Sequence, residues 1–396
     1  MNIKFFFKKN FNFYLFAFLL FILAVPITLF GWNVTGGVNS FGASLSLASN
    51  KYGSIATNNP TSTPTIHYYS LIYNKYGIAR PVGIAIDANG DIWVASTKGL
   101  TELNSSGAII NTASEIYYFP YTVGSVLDNI AIDANGNIYT ISYDSDFGKK
   151  RINKYNSSIT TLISNIPYSS SCFAIGPKGN IWNANSNSRF APYSHGAFYK
   201  FNSNGIKKSL TYYKNGNTTY SIAIDANGNV WLANANGTII IINHLNPHAG
   251  YVINYKNKTG DIPYDIAIGK NGNVWVSNYG VGTITELTYS GAVKNTYAVG
   301  RNASNAKSIA IDANGNVWVV YQNADNKDGM VAELNYRNGD IMNTYTLKRN
   351  FDPNRIAIDA NGNVWVTGYN AGEIAKISSA AKGPQYFPYS GPQYPY

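Results

Sequence analysis

Seven positions in this 396-residue chain vary where the residues around them repeat. Gly83, Asn129, Cys172, Ser221, Asp265, Ser308 and Arg355 each stand immediately before an Ile-Ala-Ile-like triplet. Arg80, Asp128 and Lys307 lie close to them in sequence. Packing within a repeat does not need unlike residues at equivalent positions. These are therefore candidates to bind a ligand, set against the plainer reading of a solvated opening. Asn185, Asn234 and Asn278 each end the segment that follows the triplet. Three amide oxygens could ligate a hard cation such as calcium or magnesium; the plainer reading has them capping loop backbone. Arg189 and His195 share the longest variable stretch, where a lone His without a partnering acid is a weak catalytic candidate. Cys172 precedes an apolar run and reads as an inert small hydrophobe. The recurring Asp-Ala-Asn-Gly-Asn phrase resembles the start of a calcium loop. It lacks the spaced acids and distal Glu of one, so it reads as a turn.

Other chemistries are excluded outright. One cysteine rules out an intramolecular disulfide framework, a Cys-based zinc site and an iron–sulfur cluster. The chain has no phosphate-cradling Gly loop, paired-carboxylate motif or nucleophile elbow. No catalytic residue, metal ligand or cofactor is assigned on these grounds; magnesium or calcium is the alternative. The net charge of +10 is spread along the chain without a block of like charges, so no nucleic-acid partner is expected.

The elements that position these residues come from one repeated phrase. It begins at Ile84, Ile130, Phe173, Ile222, Ile266, Ile309 and Ile356, and its turn glycines recur every 43 to 49 residues. Short alternating strands at that period are the signature of propeller blades. Each phrase reads as a hairpin: an Ile-Ala-Ile strand, a type I turn with Asp first and Gly fourth, and a second strand. A third strand and a second Gly turn lead to a fourth. The fold class is all-β, a seven-bladed β-propeller of four-stranded antiparallel blades spanning residues 66–380. Six of the seven Trp fill one repeat position (Trp93, Trp182, Trp231, Trp275, Trp318, Trp365), and Tyr139 fills it in blade two. An aromatic repeated around a ring is predicted to pack between blades. The strand at 66–76 is predicted to complete the last blade. The rival for that place, the Pro- and Tyr-rich tail 381–396, is broken by prolines.

Ahead of the propeller, Lys4, Lys8 and Lys9 precede the apolar run Phe13 to Phe30, and residues 1–50 hold no acid. Residues 1–32 thus read as a signal peptide or signal-anchor helix, and 33–65 as a Gly/Ser/Asn/Thr-rich linker. The propeller would be exported: periplasmic, secreted, or anchored facing out of the cytoplasm.

The repeated phrase, with Pro81 or Pro263 three residues ahead of the triplet, resembles the NHL-repeat propellers and especially the streptogramin (virginiamycin B) lyase-like group. That resemblance implies a seven-bladed ring. For lyase members it implies a magnesium ion, a His base and a Glu on the loop face. The four His are His67, His195, His244 and His248, and none lies in the repeat phrase or beside a Glu at a blade entrance; no catalytic role is carried over. Sugar-lactonase propellers, more distant, imply acidic and Asn ligands around the axis, and no such motif can be matched here residue by residue.

The hairpin turns should share one face. The links between blades and the loops between second and third strands should share the other, where binding usually resides. The expected function is a monomeric binding or scaffold module acting through that loop face on a protein or cell-envelope glycan. Tyr279, Tyr321 and Tyr369 would be exposed for sugars. The alternative is a divalent-metal-dependent lyase or lactonase-like enzyme.

Overall fold

A computed structural model describes residues 65–71, 79–114, 127–144, 149–159, 162–169, 172–176, 179–185, 196–213, 218–243, 251–254 and 262–378. The leader, the linker, the C-terminal tail, Arg189 and His195 lie outside them. Among the described residues no helix is long and apolar enough to cross a membrane.

These residues form seven antiparallel sheets, one per repeat. Blade five is typical: Ile262–Ile268 innermost, then Val274–Tyr279, Thr283–Leu287 and Val293–Ala298 outermost. Blade six differs because its inner strand is broken into Ala303–Ser304 and Ile309–Ile311, both paired to the same neighbour. The last blade takes its outer strand from the N-terminal side. Ile66–Ser70 pairs antiparallel with Glu373–Ile377, Ile66 opposite Ile377. This strand ends at Ser70, short of the predicted Tyr76.

Every interface between blades is built on the repeated aromatic, as the sequence predicts. Trp93 of blade one packs on Ile130, Ile132 and Ile138 of blade two. Tyr139 sits against Phe173, Ile175 and Ile181. Trp182, Trp231, Trp275 and Trp318 each meet the triplet and second strand of the following blade. Trp365 of blade seven reaches Ile84, Ile86 and Ile92 of blade one, which closes the ring.

The hairpin turn has a second task that the sequence reading missed. Asp225 Oδ1 accepts the backbone N–H groups of Asn227 and Asn229, both at 2.9 Å, which fixes the turn. Its other oxygen accepts the indole N–H of Trp231 at 3.1 Å. Asp87, Asp312 and Asp359 hold Trp93, Trp318 and Trp365 likewise, and Asp133 accepts the Tyr139 hydroxyl. One carboxylate thus supports the turn and satisfies the only polar atom of the buried ring.

Truncating Trp275 to Ala removes a wholly buried ring between blades five and six and should lower stability by about 3–5 kcal/mol in equilibrium denaturation. Asp225→Ala leaves the ring but strands its N–H and uncaps the turn, at about 1–3 kcal/mol.

Candidate binding site at the channel mouth

The triplet strands line the central axis, and their entry residues crowd one end of it. A cavity of about 200 Å³ is bounded there by Asn129, Cys172, Ser221, Asp265, Ser308 and Arg355, with isoleucines of the triplets beneath. Local geometry explains why these positions escape the repeat. In blades one, four and five the strand register slips between Pro81 and Gly83, Thr219 and Ser221, and Pro263 and Asp265. Such a bulge re-aims the side chain that follows it. In blade six the strand break has the same effect on Ser308.

Asp265 is the hub of the mouth. One of its oxygens accepts from Ser221 Oγ at 2.8 Å and its own blade's Ile266 N–H at 3.0 Å. The other accepts from Ser308 Oγ at 2.8 Å and the Ile309 N–H at 3.2 Å. The carboxylate therefore ties blades four, five and six together. Its own N–H donates to Ser277 Oγ, which donates to the Lys307 carbonyl at 2.8 Å. Four donors leave little of this carboxylate for a metal ion.

Asp352, in the link before blade seven, is engaged by three donors. It accepts from Lys307 Nζ at 2.7 Å, from Gln322 Nε2 at 3.1 Å and from Asn370 Nδ2 at 2.9 Å. Arg355 is different. Its guanidinium lies 5.7 Å from the centre of the Tyr264 ring and makes no ion pair or side-chain hydrogen bond among the described residues. Arg80, exposed at the rim, lies 5.5 Å from the centre of the Tyr369 ring. Three half-buried tyrosines form an arc beside Arg355. Tyr220 and Tyr264 have centroids 4.9 Å apart, and Tyr264 and Tyr279 stack at 5.3 Å. Sequence reasoning named Tyr279 but missed Tyr220 and Tyr264. Both stand two residues ahead of the triplet in adjacent blades, a signal present in the sequence. Buried Cys172 points its thiol at the Thr219 carbonyl; burial pushes its pKa up to about 12, so it stays an inert thiol.

Other expected site residues are placed elsewhere. Asn278 is wholly buried, its amide N–H₂ on Thr283 and Thr285 hydroxyls of its own blade. Asn234 accepts from Thr219 and donates to Thr238. The two do not converge on a shared ion: each fastens its own sheet, through threonine hydroxyls rather than through the loop backbone expected of it. The side chains of Asn185 and Asp128 lie outside the description. Tyr321, predicted to be exposed, is buried with 3% of its surface accessible, its ring lying against Gly300. It offers no platform to a sugar.

One further acidic group lies on the turn face. Carboxylate oxygens of Asp87, Asp91 and Glu102 come within 4.8 Å of one another. Six blades have Asn where blade one has Asp91. In blades five and six that Asn donates to the facing glutamate, Asn273 to Glu286 and Asn316 to Glu333. Asp91 cannot donate, so like charges face each other. Burial, then the charge of Asp87, raises the pKa of Asp91. Burial also raises that of Glu102, with Asp91 and Asp87 adding to it and a hydrogen bond from Asn111 opposing it. This trio could hold a cation by chemistry alone, but it lies away from the mouth.

No protein-family model matches the chain, and no curated protein matches it in sequence. Its fold is similar to solved seven-bladed propellers. A streptogramin B lyase structure aligns with TM-score 0.63 at 17% identity, over 80% of this chain and 97% of that one. Virginiamycin B lyase from Staphylococcus aureus aligns equally well at 16% identity, over 80% and 100%. The extracellular domain of a one-component system from B. thetaiotaomicron aligns with TM-score 0.60 at 14% identity, over 81% of this chain and 43% of that one. At these identities the likeness carries the fold.

Asp91→Asn should raise stability by about 0.5–1 kcal/mol, since it removes a like charge and restores the amide donor. The wild type should gain stability at this corner as pH falls. Carboxyls with raised folded-state pKa values destabilise the fold once ionised, and that cost fades as pH drops through the carboxylate range. Denaturation of both proteins at several pH values checks this: the difference between them should shrink toward acid.

Proposed function

We propose that the chain is an exported or membrane-anchored propeller that binds a protein or cell-envelope glycan through its loop face, without turnover. The observation that carries this reading is the channel mouth. Unlike residues converge there on one cavity, flanked by a tyrosine arc, while its best acid, Asp265, is consumed in joining three blades. A general acid or base needs a free carboxylate or imidazole within reach of substrate. Among the described residues the sole histidine, His67, is in the outer strand of the last blade, far in the sheet order from the triplet strands. The basic, apolar N-terminal segment and the likeness to an extracellular propeller domain support export.

The likeness to streptogramin lyases favours a second reading, a divalent-metal-dependent lyase or lactonase-like enzyme with its site on the same face. Its ligands would have to include residues of the loops, because Asp265 and Asp352 are engaged.

The test uses the full chain, immobilised and exposed to cell-envelope glycan fractions and to envelope proteins. Tyr220→Ala and Tyr279→Ala on the loop face should weaken retention by about tenfold or more. Tyr289→Ala, 71% exposed on the turn face, should leave it unchanged. Equal loss in all three would sink the loop-face reading. Product release that depends on added magnesium would replace binding by catalysis.

A further inference from the structure

We infer that the mouth takes a carboxylate on Arg355, presented by a ring-bearing ligand with the chemistry of a uronic acid. This deepens the loop-face reading and rests on it. Arg355 lines the cavity, half-buried, and its guanidinium has no acceptor among the described residues. A buried donor left unmade costs about 1–3 kcal/mol, and more when charged. Such a group in a folded protein calls for a partner of its own. The nearby carboxylate cannot serve, because Asp265 already accepts four hydrogen bonds. Asp352 is held by Lys307, Gln322 and Asn370 and does not pair with Arg355. Among the described residues no acceptor is left for the guanidinium, which lines the cavity.

Charge and shape decide which ligand fits. Arg355, Lys150 and Asp265 all lie close enough to Cys172 to act on its thiol, the two cations lowering and Asp265 raising its pKa. Two cations against one fixed carboxylate favour an anion over a neutral ligand. A planar carboxylate also matches the guanidinium fork through two parallel N–H···O bonds. The rest of the ligand then meets the isoleucine-lined floor and Tyr220, the first ring of the arc that continues to Tyr264 and Tyr279. A ring with apolar faces and polar edges satisfies both surfaces, as aromatic-lined pockets with a few placed polar groups do generally. A neutral sugar would leave Arg355 as it stands.

The experiment is calorimetric titration of the full chain with D-glucuronate, glucose, a short oligogalacturonide and inorganic phosphate, alongside thermal shifts. Glucuronate and the oligogalacturonide should bind saturably and glucose should not. Arg355→Gln should weaken both acidic ligands by about tenfold or more, and Arg355→Lys less so, because it keeps the charge without the fork. Arg337→Gln, on the exposed turn face, should bind as wild type. Melting temperature establishes that each variant folds. Binding unchanged in folded Arg355→Gln would overturn the inference, as would phosphate binding as tightly as glucuronate, which marks a site for free anions. Retention of neutral glycans through the tyrosines, without any preference for acid, would overturn it too while leaving the loop-face reading intact.

Discussion

The structure depends on one contact repeated seven times: a buried aromatic of each blade pressed onto the inner hairpin of the next. A closed ring cannot relax one interface without disturbing the others. Each ring must therefore be held in one place, and its polar atom must be satisfied there. The turn carboxylate does both, since the residue that shapes the hairpin also accepts the indole N–H. The coupling explains why Asp and Trp recur together six residues apart in most blades. Blades three and five dispense with it, having Gly176 and Gly269 in place of Asp. In blade five the turn is supported from within by Asn271, whose side-chain oxygen accepts the Asn273 N–H.

Closure imposes a second demand, because the last blade lacks an outer strand of its own in sequence order. Ile66–Ser70 supplies it, and Tyr69 stacks on Trp365 at 5.8 Å. The join is reinforced from the neighbouring blade. Lys376 lies 5.0 Å from the Trp365 ring centre and donates to the Ser105 carbonyl at 2.6 Å. Equivalent lysines in blades two and three sit over Tyr139 and Trp182, Glu102, Glu286 and Glu333 take that cross-strand position in blades one, five and six, and Ile241 takes it in blade four. The outer half of the interface is thus built from two charge types on one backbone plan.

What the sequence revealed follows from what repeats. Blade number and the packing role of the Trp position rest on periodicity, the closing strand on the prolines that break its rival, and all three stand in the structure. What it concealed depends on contacts between residues far apart in the chain. Ser221, Asp265 and Ser308 are bonded across separations of 43 and 44 residues, which no local pattern announces. Tyr321 lies between Val320 and Gln322, so the local sequence does not decide its exposure. Its burial comes from Gly300, where a Cβ would come within 2.5 Å of the tyrosine hydroxyl. The Asn trio misled for a related reason: equivalent positions in a ring need not face a common centre. Asn234 and Asn278 point into their own sheets because threonines on the adjoining strands, at 219, 238, 283 and 285, offer hydroxyls there.

Two departures from the repeat carry charge without a matching partner, and their surroundings separate them. Asp91 faces other carboxylates on the turn face, but it is only partly buried, and water screens its repulsion. A fold can tolerate that cost with no function attached. Arg355 stands at a bulged strand entrance, half-buried, with an aromatic ring beneath its charge and no acceptor among the described residues. The repeat sets what the scaffold requires, and the missing acceptor sets Arg355 apart from it. The binding we propose therefore rests on one arginine and the tyrosines beside it. The acidic turn, although richer in ligating atoms, remains part of the frame.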